Sequence, residues 1–442
     1  MSQSGDRLSK FAQPTGRIGA SGPVCDLDNV QQLSDWLVQQ GLMGANLSDL
    51  LQGFCDRLVD VLGLPLWRGQ IGMRTLHPSF EAMFFVWRRG QAVEGNQVAH
   101  TDGDSDQWRR SPFYYMLNEK MYAFRKSLET PDSVLGFPML EDFRQQGGTD
   151  YVARVLPFGA AGAEERLTGV LASWTSDRPG GFNESEVSAL DRLQPRLALT
   201  IKTILAAEIT KNVATTYVGG EAAARILAGK IQRGAVDVIH AVILFMDLRG
   251  FTSVSDRTPR EDLVPMLDDY LECMVTPVNE HGGQVLKFMG DGLLATFDLR
   301  RMKHDSICHD ALASALSALR CTKDLNDARA AKGLPTMSLD VALHLGDVFY
   351  GNVGAADRLD FTVIGSAVNE ASRIEALADG LGVHLLASET FARAATECAP
   401  HLRSLGRHAL RGLDREQELF TLNDESLVEA CPQDVMVRDV FF

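Results

Sequence analysis

The chain has 442 residues, a formal net charge of −15 and 45% hydrophobic residues. Because this length is too great for one ordinary core, we expect two domains, or three at most. The acidic balance argues against a nucleic-acid surface, which needs a basic face, but it allows an anionic small molecule held by a cation and a few local Lys or Arg side chains.

The seven cysteines are odd in number, scattered along the chain and without C-x-x-C spacing. This pattern indicates free thiols in a reducing compartment and argues against a disulfide framework or a zinc site. No apolar run reaches the roughly 18 residues of a transmembrane helix, and the N-terminus lacks the apolar segment of a secretory signal. We therefore expect a cytoplasmic protein without a membrane span.

The N-terminal part predicts a sensory domain. Residues 1–28 are polar and rich in Ser and Gly, so we expect disorder there. Residues 29–183 show helical apolar spacing and then strand-like runs separated by Gly, Asp and Pro, which predicts an antiparallel sheet with helices. The element order and the closing GGFNESEVSALDRL resemble a GAF-type domain, which implies an unknown small-molecule or protein signal. Candidate pocket residues, each more often a core residue, are Cys55, Trp67, His77, Phe84, Phe85, Trp87 and Tyr151.

A helical linker is predicted over residues 184–237. Asn183 is a candidate N-cap with Glu186 at the third helical position, and Pro195 predicts a kink or a break. An apolar stripe with rough heptad spacing either pairs with a second chain as a short coiled coil or packs on its own domain. We expect it to transmit the signal by pairing between chains; its members are Leu190, Leu197, Ile201 and Ile204.

From residue 238 the elements follow a βαββαβ order. This order predicts an α+β fold with a ferredoxin-like core, in which helices cover one face of an antiparallel sheet. One helix has a start signal of Thr258 as N-cap, Pro259 at the first position and Glu261 at the third. Residues 423–442 read as an acidic tail.

Two aspartates mark the edge of this predicted sheet. Asp247 ends the first strand, and Asp291 lies at the tip of a Gly-Asp-Gly hairpin. The first strand of a βαββ core lies beside the hairpin strand, so the two carboxylates can face each other. They repel unless a cation lies between them, and paired aspartates suit Mg²⁺ or Mn²⁺. Taken singly, each is more often a turn residue. The turn after Asp247 offers a phosphate nest at Gly250, Phe251 and Thr252.

Three motifs decide between these interpretations. FMDLRGFT, GGQVLKFMGDGLLATF and FTVIGSAVNEASRIE, in this order and spacing, resemble the catalytic domain of class III adenylyl and guanylyl cyclases over residues 238–422. The resemblance implies formation of a 3′,5′-cyclic nucleotide and pyrophosphate by head-to-tail dimers, with two metal ions at Asp247 and Asp291. It also implies that Asn369 positions the ribose and that Arg373 stabilises the transition-state phosphate.

Lys287 carries the prediction that the substrate is ATP. By the resemblance it lies where adenylyl cyclases have a base-reading Lys and guanylyl cyclases a Glu, and Thr362 lies at the second base-reading position. An ammonium can donate to adenine N1, whereas it meets a donor on guanine, and an unpaired buried donor costs about 1–3 kcal/mol. Four strand residues separate Lys287 from Asp291, roughly 13 Å. The resemblance assigns them to different chains of a homodimer with two complete sites.

The chain departs from the family pattern in two places. Asp340 stands where some relatives have an Arg, so we take Arg411 as the candidate contact for the distal phosphates. Ser366 replaces the commoner Asp after the Ile-Gly pair. We therefore expect a regulated adenylate cyclase; the alternatives are a guanylate cyclase, which Lys287 argues against, and an inactive cyclase-homology module, which typically loses an Asp or the Asn–Arg pair.

Overall fold

The computed structural model describes residues 25–100, 105–130, 136–159, 169–300, 304–412 and 415–424. It divides into two compact units, Met1–Val213 and Ala214–Phe442. The acidic tail beyond residue 424 and residues 1–24 lie outside the described ranges. The predicted disorder over residues 1–28 is wrong at its end, because the first helix begins at Leu27, behind an N-cap carboxylate from Asp26.

The first unit is built on a six-stranded antiparallel sheet in the order β3-β2-β1-β6-β5-β4. Its strands are β1 (Leu66–Arg74), β2 (Phe80–Arg88), β3 (Glu94–Ala99), β4 (Ala123–Ser127), β5 (Asp150–Pro157) and β6 (Gly169–Ser176). One face packs against the long helices α1 (Leu27–Met43), α2 (Leu47–Asp60) and α6 (Glu184–Val218). The other face is covered by the short helices α3 (Asp106–Arg109), α4 (Pro112–Asn118) and α5 (Pro138–Gln145).

The predicted capping box at the start of α6 is confirmed. The backbone N–H of Glu186 donates to Asn183 Oδ1 at 2.9 Å, and the backbone N–H of Asn183 donates to Glu186 Oε2 at 2.7 Å. Arg178 also donates to both carboxylate oxygens of the buried Glu186. The start of α6 is therefore fixed to the end of the sheet that precedes it.

Helix α6 is continuous, so the predicted break at Pro195 is absent. Pro195 is exposed, and Leu193 and Leu197 before and after it are held in the core, which keeps the helix together despite the missing hydrogen bond. The apolar stripe packs against α1 and α2 inside its own domain, where Leu190, Leu197 and Ile201 are fully buried. The prediction that this stripe pairs with a second chain is therefore wrong, because its side chains are already buried in the core of their own domain.

The second unit is built on an eight-stranded sheet in the order β13-β14-β12-β10-β7-β9-β8, with β11 paired to β10. Its strands are β7 (Val236–Arg249), β8 (Gln284–Met289), β9 (Gly292–Asp298), β10 (Ser338–Gly354), β11 (Leu359–Ile364), β12 (Leu385–Ser388), β13 (Leu402–His408) and β14 (Gln417–Leu422). Its helices are α7 (Gly220–Leu227), α8 (Phe251–Ser255), α9 (Arg260–Glu280), α10 (His304–Ala330), α11 (Ser366–Glu375), α12 (Ala378–Leu381) and α13 (Glu389–Ala394).

This sheet differs from the predicted one in two respects. Strands β10 and β12 run parallel, so the sheet is mixed and not wholly antiparallel. Helices lie on both faces: α9 and α10 cover one, and α11 covers the other. The predicted order of strand, helix, hairpin, helix and strand is present from β7 to β10, but the sequence pattern did not reveal that the later helix α11 packs on the opposite face.

Two local predictions in the second unit are wrong. Helix α9 begins after Pro259, and the Thr258 hydroxyl donates to Val254 O at 2.7 Å, so it closes the preceding turn and does not cap α9. Cys273 and Cys321 form a disulfide between α9 and α10, whereas both were expected as free thiols. The buried Cys25 and Cys55 are free thiols. Among the described helices, none is long and apolar enough to cross a membrane.

Candidate active site

The metal-site prediction rests on how closely β7 and the β8–β9 hairpin approach each other. Asp247 lies near the end of β7, and Gly292 begins β9 directly after Asp291. A Cβ added to Gly292 would lie 2.5 Å from Asp247 Oδ1. Glycine is therefore needed at this position, because any side chain would displace the Asp247 carboxylate from the tip of the hairpin.

Negative charge accumulates around Asp247. Burial, together with the carboxylates of Asp291 and Asp340, raises the pKa of Asp247 to about 6. Burial raises the pKa of Asp291 as well. On α11, burial and the charges of Asp247 and Asp340 raise the pKa of Glu375 to about 7, although Arg249 acts in the opposite direction. A cation between Asp247 and Asp291 would relieve this repulsion.

The Asp340 carboxylate already has a counter-ion. Arg249 Nε and Nη2 each donate to one of its oxygens at 2.7 Å, and Nη2 also donates to Val383 O at 2.8 Å. His384 Nδ1 lies 3.1 Å from the same carboxylate, and the Asp340 side chain is only 4% exposed. Asp340 therefore serves a buried ion pair, which leaves Asp247 and Asp291 as the two carboxylates available to a metal.

These two carboxylates fit the way Mg²⁺ is bound. No group of three or more His, Cys, Asp or Glu residues in the described part of the chain is arranged to hold a metal ion. Mg²⁺ commonly takes only one or two protein carboxylates and fills its other positions with water and substrate phosphates. A site of two aspartates beside a phosphate-binding turn would meet that requirement.

The turn after Asp247 has the backbone conformation of an anion nest. Gly250 is left-handed, with φ 81° and ψ 11°, and it precedes the short helix α8. The N–H groups of Ser253 and Val254 close the first turn on Gly250 O. A left-handed residue followed by right-handed ones aligns consecutive N–H groups on one side, which agrees with the predicted use of Phe251 and Thr252.

Lys287 and Thr362 lie close together on neighbouring edges of the sheet. Lys287 Nζ on β8 lies 2.8 Å from Asp360 Oδ2 on β11. Asp360 and Thr362 are two residues apart on β11 and so share a face. Sequence reasoning missed Asp360, although the alternation in LDFTVI could have shown it. Both charged groups are about half exposed, so the pair adds little stability and mainly orients the ammonium.

Helix α11 carries the remaining predicted residues. Ala367 faces the sheet, and a Cβ on Gly346 of β10 would lie 2.6 Å from the Ala367 Cβ. The glycine therefore lets α11 lie directly on β10. Asn369 and Arg373 are one helical turn apart, on the side away from this contact.

The loop that holds Arg411 lies against Arg373. A Cβ on Gly412 would lie 3.7 Å from Arg373 Nη2, and Arg411 itself is exposed. The two predicted phosphate-binding arginines therefore belong to one region of the surface.

The strand register separates the metal residues from the base-reading residues within one chain. Lys287 lies opposite Leu294, and Leu294 lies opposite Phe245, two residues before Asp247. Two strand spacings and two residues along a strand correspond to roughly 12 Å between the Lys287 and Asp247 backbones. The sharing of each site between two chains stays a prediction.

Comparisons with known proteins agree with the motifs. Residues 236–424 match the family model of the adenylate and guanylate cyclase catalytic domain. An adenylate cyclase of Anabaena cylindrica is 38% identical over 167 residues, which is 37% of this chain and 32% of that protein. An uncharacterized protein of Mycobacterium tuberculosis H37Rv is 33% identical over 257 residues, 58% of this chain and 43% of that one. The chain thus spans less than half the length of these relatives.

Two solved structures are similar over this region. The adenylyl cyclase CyaB from P. aeruginosa is 25% identical, covering 43% of this chain and 96% of that chain, with a TM-score of 0.40. The guanylyl cyclase Cya2 is 27% identical, covering 42% and 93%, with a TM-score of 0.38. Residues 236–424 in the second unit therefore match a nucleotidyl cyclase catalytic domain, and the family description names both adenylate and guanylate cyclases.

The pocket residues predicted for the first unit are dispersed in the structure. Cys55 and Trp87 lie in the core beneath α2, whereas Tyr151 lies on the opposite face of the sheet. An open cavity of about 780 Å³ has Phe85 in its lining, with Asn46, Asp49, Met83, Asn96, Gln97 and Glu208 among its other residues.

The raised pKa of Asp247 gives a testable dependence of stability on pH. Because the folded pKa, about 6, lies above the ordinary 3.8, the folded chain holds this proton more tightly than the unfolded chain. The associated stability is present below pH 3.8 and is lost as the pH rises through 6. In EDTA, Asp247→Asn should therefore raise the unfolding temperature above pH 6, with the gain vanishing towards pH 3.8.

Thermal unfolding across this pH range measures the effect. Asp357→Asn, which removes an exposed carboxylate, is the matched control and should show no such trend. Added Mg²⁺ should stabilise the wild type more than Asp247→Asn, because only the wild type keeps both carboxylates. Equal pH profiles for wild type and Asp247→Asn would contradict the electrostatic interpretation.

Proposed function

We propose that the chain is an adenylate cyclase, a phosphorus–oxygen lyase that converts ATP to 3′,5′-cyclic AMP and pyrophosphate. The observation that carries this proposal is the approach of Asp247 to the Asp291 hairpin, within a region that matches the cyclase catalytic domain. Lys287 favours adenine over guanine for the hydrogen-bonding reason given above. Guanylate cyclase activity is the second candidate, because the fold alone accommodates either base.

The chain's own residues would divide the work as follows. Asp247 and Asp291 would hold two Mg²⁺ or Mn²⁺ ions, which supply charge neutralisation at the attacking and leaving oxygens when bound. The backbone N–H groups of Phe251 and Thr252 would hold the phosphates, together with Arg411.

The other side chains would bind the nucleoside and stabilise the transition state. Lys287, oriented by Asp360, would donate to adenine N1, with Thr362 at the exocyclic amino group. Asn369 would fix the ribose. Arg373 would donate to the five-coordinate phosphorus centre as its charge grows, for which a guanidinium is suited because it contacts two oxygens at once.

We further propose that the active protein is a homodimer and that the first unit, as a GAF-like domain, regulates it. A sheet with helical layers on both faces supports the domain type. Helix α6 supports the regulation, because it is part of the first unit's core and continues to Val218, beyond the boundary at Val213. A change in that core therefore acts on a helix that leads into the cyclase unit.

The reaction itself is tested with purified protein, ATP or GTP, and Mg²⁺ or Mn²⁺. We expect cyclic AMP and pyrophosphate from ATP. Asp291→Ala should lower the rate by at least ~100-fold, the scale for losing one group that stabilises transition-state charge, without lowering the unfolding temperature. The exposed Asp357→Ala is the control. Turnover of GTP without ATP would contradict the role of Lys287, and a near wild-type Asp291→Ala would contradict the metal site.

The shared site is tested by mixing two inactive variants. Asp247→Ala and Asn369→Ala should each be inactive, because every dimer lacks one component in both sites. An equal mixture should regain about a quarter of wild-type activity, since half of random dimers are mixed and each holds one whole site. Mixing Asp247→Ala with Asp291→Ala, which damage the same half-site, should regain nothing. Equal recovery in both mixtures would contradict the sharing of each site between two chains.

The regulatory role of α6 is tested by insertions after Val213. This position follows the buried stripe and precedes Ala222, which is buried in the second unit. One inserted Ala rotates the following residues by roughly 100° and should change the cyclase rate severalfold. Seven inserted residues nearly restore the phase and should largely restore the rate. If both insertions leave the rate unchanged, the helix is only a tether.

A further inference from the structure

A row of polar side chains crosses the middle of the first unit's sheet. Arg68 on β1 lies directly opposite Thr175 on β6, and Thr175 lies directly opposite Tyr151 on β5. Ser173 is two residues before Thr175 on β6 and so lies on the same face. This face belongs to the core that α4 and α5 close with Phe113, Met116, Leu140 and Phe143.

These side chains are buried with polar atoms that have no hydrogen-bond partner. Arg68 is 6% exposed, and Tyr151, Ser173 and Thr175 are fully buried. The atoms left without a partner are Arg68 Nε and Nη1, Tyr151 OH, Ser173 Oγ and Thr175 Oγ1. Burial raises the pKa of Tyr151 to about 12 against the lowering effect of the Ser173 hydroxyl, which lies close to Tyr151 OH without meeting the geometry of a hydrogen bond. Buried polar atoms are rarely left unpaired in folded proteins, and here five belong to one patch.

The Arg68 charge is also uncompensated. No described carboxylate forms an ion pair with it, and its Nη2 donates to the neutral Gln70 Oε1 at 2.7 Å. Glu94 acts on it from a distance but is paired with Arg88 at 3.1 Å. Burial lowers the Arg68 pKa to about 10. The Phe143 ring, 4.6 Å from Arg68 Cζ, offers its electron-rich face but no formal charge.

We propose that this patch binds a small molecule through a carboxylate or phosphate group. The anion would accept hydrogen bonds from Arg68 Nε and Nη1, and its remaining oxygens would accept from the hydroxyls of Tyr151, Thr175 and Ser173. It would supply the counter-charge that Arg68 lacks, which is the usual condition for keeping a guanidinium buried. The apolar part of the ligand would contact the aromatic rings of the same core, such as Phe143.

This inference concerns the first unit and does not depend on cyclase activity. The full-length chain is therefore tested by binding, in EDTA, with benzoate, phenyl phosphate and neutral benzamide as probes of matched shape. Benzoate and phenyl phosphate distinguish a carboxylate from a phosphate site. At least one of them should raise the unfolding temperature of the first unit, increasingly with the logarithm of its concentration, whereas benzamide should not.

Two arginines of the same row provide the matched comparison. Arg68→Met should abolish the anion-induced shift. Arg88→Met should keep it, because Arg88 lies opposite Arg68 on β2 but is more exposed and already paired with Glu94. If Arg68→Met does not fold, Tyr151→Phe and Thr175→Val carry the test, and each should reduce the shift in a folded chain.

Either of two results would overturn the proposal. The first is that neither anion shifts the wild-type unfolding temperature, which would make the patch a structural cluster. The second is an anion response like that of the wild type in the Arg68→Met chain or, if that chain does not fold, in the Tyr151→Phe and Thr175→Val chains. The anion would then bind elsewhere.

Discussion

The repulsion between carboxylates at the end of β7 is the constraint on which the second unit depends. Asp247 is half-buried, with Asp291, Asp340 and Glu375 near enough to raise or share its electrostatic cost. The chain compensates one of these charges, because Asp340 forms an ion pair with Arg249. No cation among the described residues pairs with Asp247 or Asp291, and this is the condition under which a divalent ion binds strongly.

The same constraint explains several residues that do no chemistry. Gly292 is needed because the Asp247 carboxylate occupies the place of a side chain, and Gly346 is needed because α11 lies directly on β10. The approach of α11 brings Glu375 towards the carboxylates and holds Asn369 and Arg373 at the surface. Arg249 then has two roles, since it neutralises Asp340 and lowers the pKa of Glu375. A substitution at Gly346 would therefore disturb the acidic site through α11.

Short-range patterns predicted much of this arrangement, and long-range packing produced the rest. The Gly-Asp-Gly turn and the strand before Asp247 predicted the approach of two carboxylates, because both are local signals. The Arg249–Asp340 pair joins residues 91 positions apart, and no periodicity in either segment indicates it. The stripe on α6 shows the same limit: heptad spacing is equally suited to a partner helix and to a core, and only the positions of α1 and α2 distinguish these outcomes.

The two units treat buried charge in opposite ways. In the second unit, Arg249 and Asp340 form an ion pair in which both carboxylate oxygens accept hydrogen bonds. This pair holds the end of β7 against β10. In the first unit, Arg68 is buried about as deeply as Asp340, with unpaired N–H groups of its own and unpaired hydroxyls around it. A structural role explains the first arrangement, because each charge stabilises the other. It does not explain the second, since an apolar side chain would remove the desolvation cost altogether. A buried cation kept without a partner is understandable when its partner arrives from outside the chain.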